Sequence, residues 1–274
     1  MMQVLDECLR ASSGFKGTDD LLDEKLLETP FVYDCIRRAK VSSAPSYGFD
    51  DPDVLKGGSS MHSYGVERWC EAIERHLPLT SSHTSSMVRA ASITCYAGMT
   101  STVFFTLPKQ KQDFIIGSAI NAASNDEFPS VRSAACRAIG VIACFPQNFE
   151  SAEILNEFIH AIVKNTHDPS ISVRITSSWA IANICDSIRY KAKDLPLGKK
   201  DADAPKSASG PISELAECAL RLAKDGDKVK SNAVRALGNL ARFVNFTGQF
   251  TVLSRLVEDT AVGWREWFKH LFLV

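Results

Sequence analysis

The chain has 274 residues, is 45% apolar and carries a formal net charge of −1. That is enough apolar material for a sizeable core, and the charge balance gives no support to non-specific attraction for nucleic acid or an anionic membrane. No stretch approaches the roughly 20 apolar residues of a membrane span, and the opening MMQVLDECLR has acidic residues but no apolar run, so it does not read as a secretory signal.

Residues 1–40 hold one or two helices, for example LLDEKLLETPFVYDCIRRAK, read as an eroded first copy of the unit that follows. Residues 41–63, VSSAPSYGFDDPDVLKGGSSMHS, lack periodicity and read as a flexible loop. From 64 to 260 one phrase returns four times: SSMVRAASITCYAGM around Val88, FPSVRSAACRAIGVI around Val131, SISVRITSSWAIANI around Val173 and GDKVKSNAVRALGNL around Val229. The valines stand 43, 42 and 56 residues apart, and the long third step contains the flexible insertion 190–210, YKAKDLPLGKKDADAPKSASG. Within a copy, apolar or small residues recur at steps of three and four, as in Val131, Ala134, Ala135, Ala138, Ile139 and Ile142. That spacing draws one stripe along a helix turning about 100° per residue. Gly140 and Gly238 in the stripe are expected to let helices approach closely.

A helix-period segment precedes each copy, at 66–77, 109–124, 151–165 and 212–224, and the turns between are LTSSHTSS, NDEFP, THDPS and DGD. Pro or Gly in three of these stops one helix and permits a reversal. A plausible helix start follows at 248–259, and then comes an atypical amphipathic tail, 261–274. There Trp264, Trp267, Phe268, Leu271 and Phe272 share one helical face, expected to cover the last repeat. The tail does not continue the repeat, which leaves open whether the array is a shortened form of a longer one.

A helical unit with a period of about 40 to 47 residues cannot bury its apolar face alone and must stack on its neighbours. In this the chain resembles the HEAT/armadillo helical-repeat superfamily. The resemblance implies an all-α, right-handed α–α superhelix of about four to five helical hairpins. Asp126 to Arg132 and Asp168 to Arg174 share a D-x(5)-R spacing with a proline between, similar to the signature turn of HEAT repeats. By that resemblance each pair has a structural role, tying one repeat to the next. The first copy departs with His83 in the aspartate place; the fourth departs with Asp225 displaced by one and Lys230 for the arginine.

Catalytic chemistry finds little to stand on. None of the six histidines is followed by Glu, as iron-holding repeat enzymes require, and H-E-x-x-H, a Gly-rich phosphate loop and G-x-S-x-G are all missing from the sequence. The eight cysteines (8, 35, 70, 95, 136, 144, 185 and 218) show no C-x-x-C pairing and mostly fall within helix patterns, where reduced Cys is a small apolar filler. No catalytic residue, metal site or cofactor is expected, and the Asn-Phe-Thr sequon at 245–247 reads as chance. An intracellular protein, cytoplasmic or nuclear or both, is the expectation.

Binding is the sharper expectation. Trp179 and Asn183 are four apart, as are Arg235 and Asn239, so each pair lies on one helix face beside the apolar stripe. The matching residues in the earlier copies are Arg137 with Val141 and Thr94 with Gly98. The phrases WAIAN and RALGN resemble the W-x-x-x-N arrays of importin-alpha-type armadillo proteins, in which the amide grips a peptide backbone and the indole packs side-chain stems. Arg137, Trp179, Asn183, Arg235 and Asn239 are therefore the candidate partner-binding residues of a concave face. The competing expectation is that Trp179 packs between repeats while Asn183 bonds neighbouring backbone. The function expected is a non-enzymatic scaffold for a protein or peptide partner, with an importin-like adaptor as the alternative.

Overall fold

The computed structural model describes residues 2–13, 59–145, 152–191 and 209–240, among which there are helices and no strand. In chain order these are α1 (Met2–Ser12), α2 (Ser59–Arg75), α3 (Leu77–Ser81), α4 (Ser86–Tyr96), α5 (Ser101–Thr106), α6 (Lys109–Asn125), α7 (Pro129–Ile142), α8 (Ala152–Asn165), α9 (Ile171–Lys191), α10 (Ser209–Leu222) and α11 (Asp227–Leu240). Helix α2 begins within the 41–63 stretch, and α9 and α10 enter the two ends of 190–210. Adding a residue to an existing, packed helix is far easier than nucleating one, so polar flanks are drawn in. The expectations for 14–40, 41–58, 192–208 and 241–274, the sequon and the amphipathic tail included, lie outside the described residues.

The helices form an α-solenoid. Helices α4, α7, α9 and α11 pack side by side in one row, each joined to its predecessor in the hairpin: α3 after α2, then α6, α8 and α10. The predecessors make a second layer, with α6 against α8 and α8 against α10. The apolar stripe explains the row, because it faces the hairpin partner and the neighbouring repeats at once. Val131, Val173 and Val229 are each at most 1% exposed, and full burial of such a side chain stabilises by about 1.5–3 kcal/mol. Val88, at the start of the row, is half-buried. Helix α1 packs on both α4 and α2 at this end. Its last turn is held by Trp69, whose indole N–H donates to Ser13 Oγ at 2.8 Å.

At Gly140 two second helices come into close contact. A Cβ there would sit 2.8 Å from Trp179 Cζ3 and 2.9 Å from Ala180 Cα, so α7 and α9 touch through its missing side chain. At Gly238 nothing described lies within 4 Å of a Cβ built on it, and the chain that follows α11 lies outside the described residues. Two short helices were not legible in the periodicity. Helix α3 occupies what reads as a turn, with Pro78 in its first turn, where a missing N–H costs nothing. Helix α5 fills the link between the first two repeats, placing Phe104 5.5 Å from Phe145 beyond the end of α7.

Candidate functional site

Among the described residues, polar contacts join the second helices of successive repeats in three tiers, while the first helices are bridged separately, as where Asn165 Nδ2 donates to the Ala123 carbonyl at 2.8 Å. The first tier lies at the turns. Arg89 donates from Nε to Asp126 Oδ2 at 2.8 Å and from Nη2 to Oδ1 at 3.0 Å, Arg132 from Nε to Asp168 Oδ2 at 2.7 Å, and Arg174 from Nε to Asp225 Oδ2 at 2.7 Å. Each arginine also donates Nη1 to two carbonyls of its own turn: His83 and Thr84, Asp126 and Glu127, Asp168 and Pro169. The aspartates in turn accept backbone N–H groups, of Phe128 and Ser170 two residues on and of Gly226 next door. The one-place displacement of Asp225 thus changes the turn bond but leaves its bridge to Arg174. At His83 the imidazole Nδ1 accepts from Ser85 N–H at 3.0 Å, the turn bond that an aspartate makes elsewhere.

Burial alone would raise the Asp126 carboxyl, but the Arg89 guanidinium and the Phe128 N–H outweigh it and hold the group below the ordinary carboxylate range. At Asp225 the hydrogen bond from Arg174 leads and likewise holds the carboxyl low. Two clefts of about 330 and 270 Å³ open beside this ladder, sharing Asn125 and Asp126. Their ionised ladder groups, Asp126, Arg132 and Asp168, are already paired.

The second tier is neutral. Ser133 and Thr176 share a hydrogen bond at 3.1 Å between α7 and α9, and Asn232 donates to Ser178 Oγ at 3.1 Å between α11 and α9.

The third tier brings the five candidate residues together. Arg137, Trp179 and Arg235 occupy the same place in successive copies. The exposed Arg137 guanidinium lies 5.4 Å from the centroid of the Trp179 ring. On the other side Arg235 Nη2 donates to Asn183 Oδ1 at 2.5 Å and reaches the Trp179 carbonyl at 3.5 Å. Asn183 Nδ2 donates to the Gly140 carbonyl at 3.2 Å, so its amide bonds both flanking helices. Asn239 Nδ2 donates to Asp186, whose carboxylate lies 3.6 Å from Arg235 Nε. Trp179 is 7% exposed, and Asn183 and Asn239 are 4% exposed; Arg137 is the open member of the row. Asp186 was not singled out from the sequence. Its place, three residues after Asn183 on the same helical side, is the signal that marks it.

A family model for the HEAT repeat matches residues 115–143, which span the end of α6, the D-x(5)-R turn and α7. The chain is similar to an uncharacterized protein of Dictyostelium discoideum, 30% identical over 170 residues, which are 62% of this chain and 11% of that protein. The chain thus matches only about a tenth of that relative's length. Among solved structures, one computationally designed armadillo repeat protein for modular peptide recognition is 21% identical, covering 77% of this chain and 79% of its own, with a TM-score of 0.42. A second designed armadillo repeat protein, in complex with the peptide (KR)4, is 16% identical, covering 81% and 98%, with a TM-score of 0.33.

Proposed function

We propose that this chain is a non-enzymatic, intracellular scaffold that binds a protein or peptide partner along the concave wall made by α4, α7, α9 and α11. The observation that carries the reading is the third tier. Residues at one repeat position, Arg137, Trp179 and Arg235, align on the neighbouring second helices α7, α9 and α11 into a single row of aromatic and hydrogen-bonding groups. A solenoid offers such a row a long, shallow surface, which suits an extended partner better than it suits a small substrate. In this reading residues 172–187 and 227–243 also resemble the C-terminal repeats of HEAT repeat-containing protein 6 of animals and its plant counterparts.

The importin-like adaptor is the second reading, favoured by the presence of Asn183 and Asn239 at one repeat position. It ranks lower because both amides are engaged inside the array and would have to exchange those bonds for a peptide backbone. The test is to place a photo-crosslinking amino acid at Thr94 or Arg137 on the second-helix row, and at Asp113 or Glu157 on the first-helix layer. Crosslinks to a common polypeptide from the first pair alone are expected. Equal yields from both pairs would remove the row as the binding face.

A further inference from the structure

We infer that the partner segment received by this row is acidic, with a carboxylate seated on Arg137. The inference rests on the row being the binding face and adds the chemistry of what it binds. Three observations point the same way. First, the face of Trp179 already carries a cation from the same chain, Arg137, at 5.4 Å. A lysine or arginine stem from a basic peptide would have to displace that guanidinium or lie beside it against like charge. Second, the row has more donors than acceptors. Arg137 is exposed, and its five N–H groups pair with no carboxylate among the described residues. Third, two of the three aligned positions carry arginines, Arg137 and Arg235, and the carboxylate of Asp186 lies 3.6 Å from Arg235 Nε. The equivalent residue on α4 is the neutral Thr94.

A carboxylate meets all three conditions, offering negative charge and two acceptor oxygens to a planar fork of donors. A nucleic-acid strand fits less well, since a phosphate backbone draws its affinity from many cationic contacts and this row supplies two arginines.

The test uses the full chain and fluorescein-labelled octaglutamate, octalysine and octauridylate, followed by anisotropy at low ionic strength. Octaglutamate is expected to bind tightest. Arg137→Ala should weaken it about five- to tenfold, the scale of one charge-assisted contact at a solvent-facing site. Arg137→Glu should invert the preference toward octalysine, whereas Lys224→Ala, an exposed cation off the row, should leave all three unchanged. Arg137 is exposed, so unaltered thermal melts are expected for its variants. Tighter binding of octalysine or octauridylate, an Arg137→Ala variant equal to the parent, or no binding of octaglutamate to the intact chain would each overturn the inference. The last result includes the case in which this chain's own acidic residues hold Arg137. Crosslinks at positions 94 and 137 alongside any of these results would sink only the acidic chemistry; loss of those crosslinks would remove the binding face itself.

Discussion

Asp126 accepts from three donors at once, Arg89 Nε, Arg89 Nη2 and the Phe128 N–H, so one carboxylate both closes its own turn and holds the preceding repeat. Asp126→Ala leaves the Arg89 guanidinium without its carboxylate and the Phe128 N–H without its acceptor, and is expected to lower the urea midpoint. Asp126→Asn keeps the turn acceptor and should cost less. Acid stability follows from the same contacts. Asp126 and Asp225 titrate below the ordinary carboxylate range in the folded chain, so the folded state binds fewer protons than the unfolded one. Their contribution is therefore complete above about pH 5 and is lost as pH falls through the folded values. The double variant Asp126→Asn with Asp225→Asn should lose less stability between pH 5 and pH 3 than the parent; equal loss would contradict the ladder's part in it. The thiols are shifted the opposite way. Burial, and then the nearby Asp6, pushes Cys95 up to about 12, and burial pushes Cys144 up to about 11 and raises Cys136 and Cys185 as well. Iodoacetamide at pH 8 should therefore label the exposed Cys8 in the native protein and reach the buried Cys95, Cys136 and Cys185 only in denaturant, as read by mass spectrometry.

At the scale of the helices, close approach competes with helix propensity. Alanine is a better helix former than glycine by about 0.8–1 kcal/mol. At Gly117 on α6 nothing described lies within 4 Å of an added Cβ, so Gly117→Ala should raise Tm slightly. At Gly140 the same methyl meets Ala180 Cα, a backbone atom that cannot rotate away, and overpacking there should cost about 1–3 kcal/mol and lower Tm. Opposite signs for one chemical change are the measurement that matters. The two glycines also show what local pattern conveys. The segments at 109–124 and 151–165 coincide closely with α6 and α8, because a long apolar period and a turn at each end are local properties. Short helices α3 and α5 escaped because five or six residues hold less than two turns of periodicity. Their formation depends on what they cover, as Phe104 against Phe145 illustrates.

For the whole molecule, a row of repeats transmits damage only to its neighbours. Ile93 on α4 is 2% exposed, and Ile93→Ala is expected to cost about 2–5 kcal/mol. Hydrogen exchange should show the lost protection concentrated in α4, α6 and α7, with α11 nearly unchanged; uniform loss would indicate one indivisible core. The repeat period, the buried stripe, the D-x(5)-R turns and the shared position of Arg137, Trp179 and Arg235 can all be read along the chain, because each is set within one or two turns of helix or by counting from copy to copy. Which carboxylate each arginine meets cannot. Arg89 reaches Asp126 across 37 residues, Arg132 reaches Asp168 across 36 and Arg174 reaches Asp225 across 51. The same holds for the guanidinium on the Trp179 ring and the two engaged faces of the Asn183 amide. Those contacts arise only when neighbouring hairpins stack at a spacing set by small residues such as Gly140, and stacking distance is a property of pairs of helices that no single segment encodes.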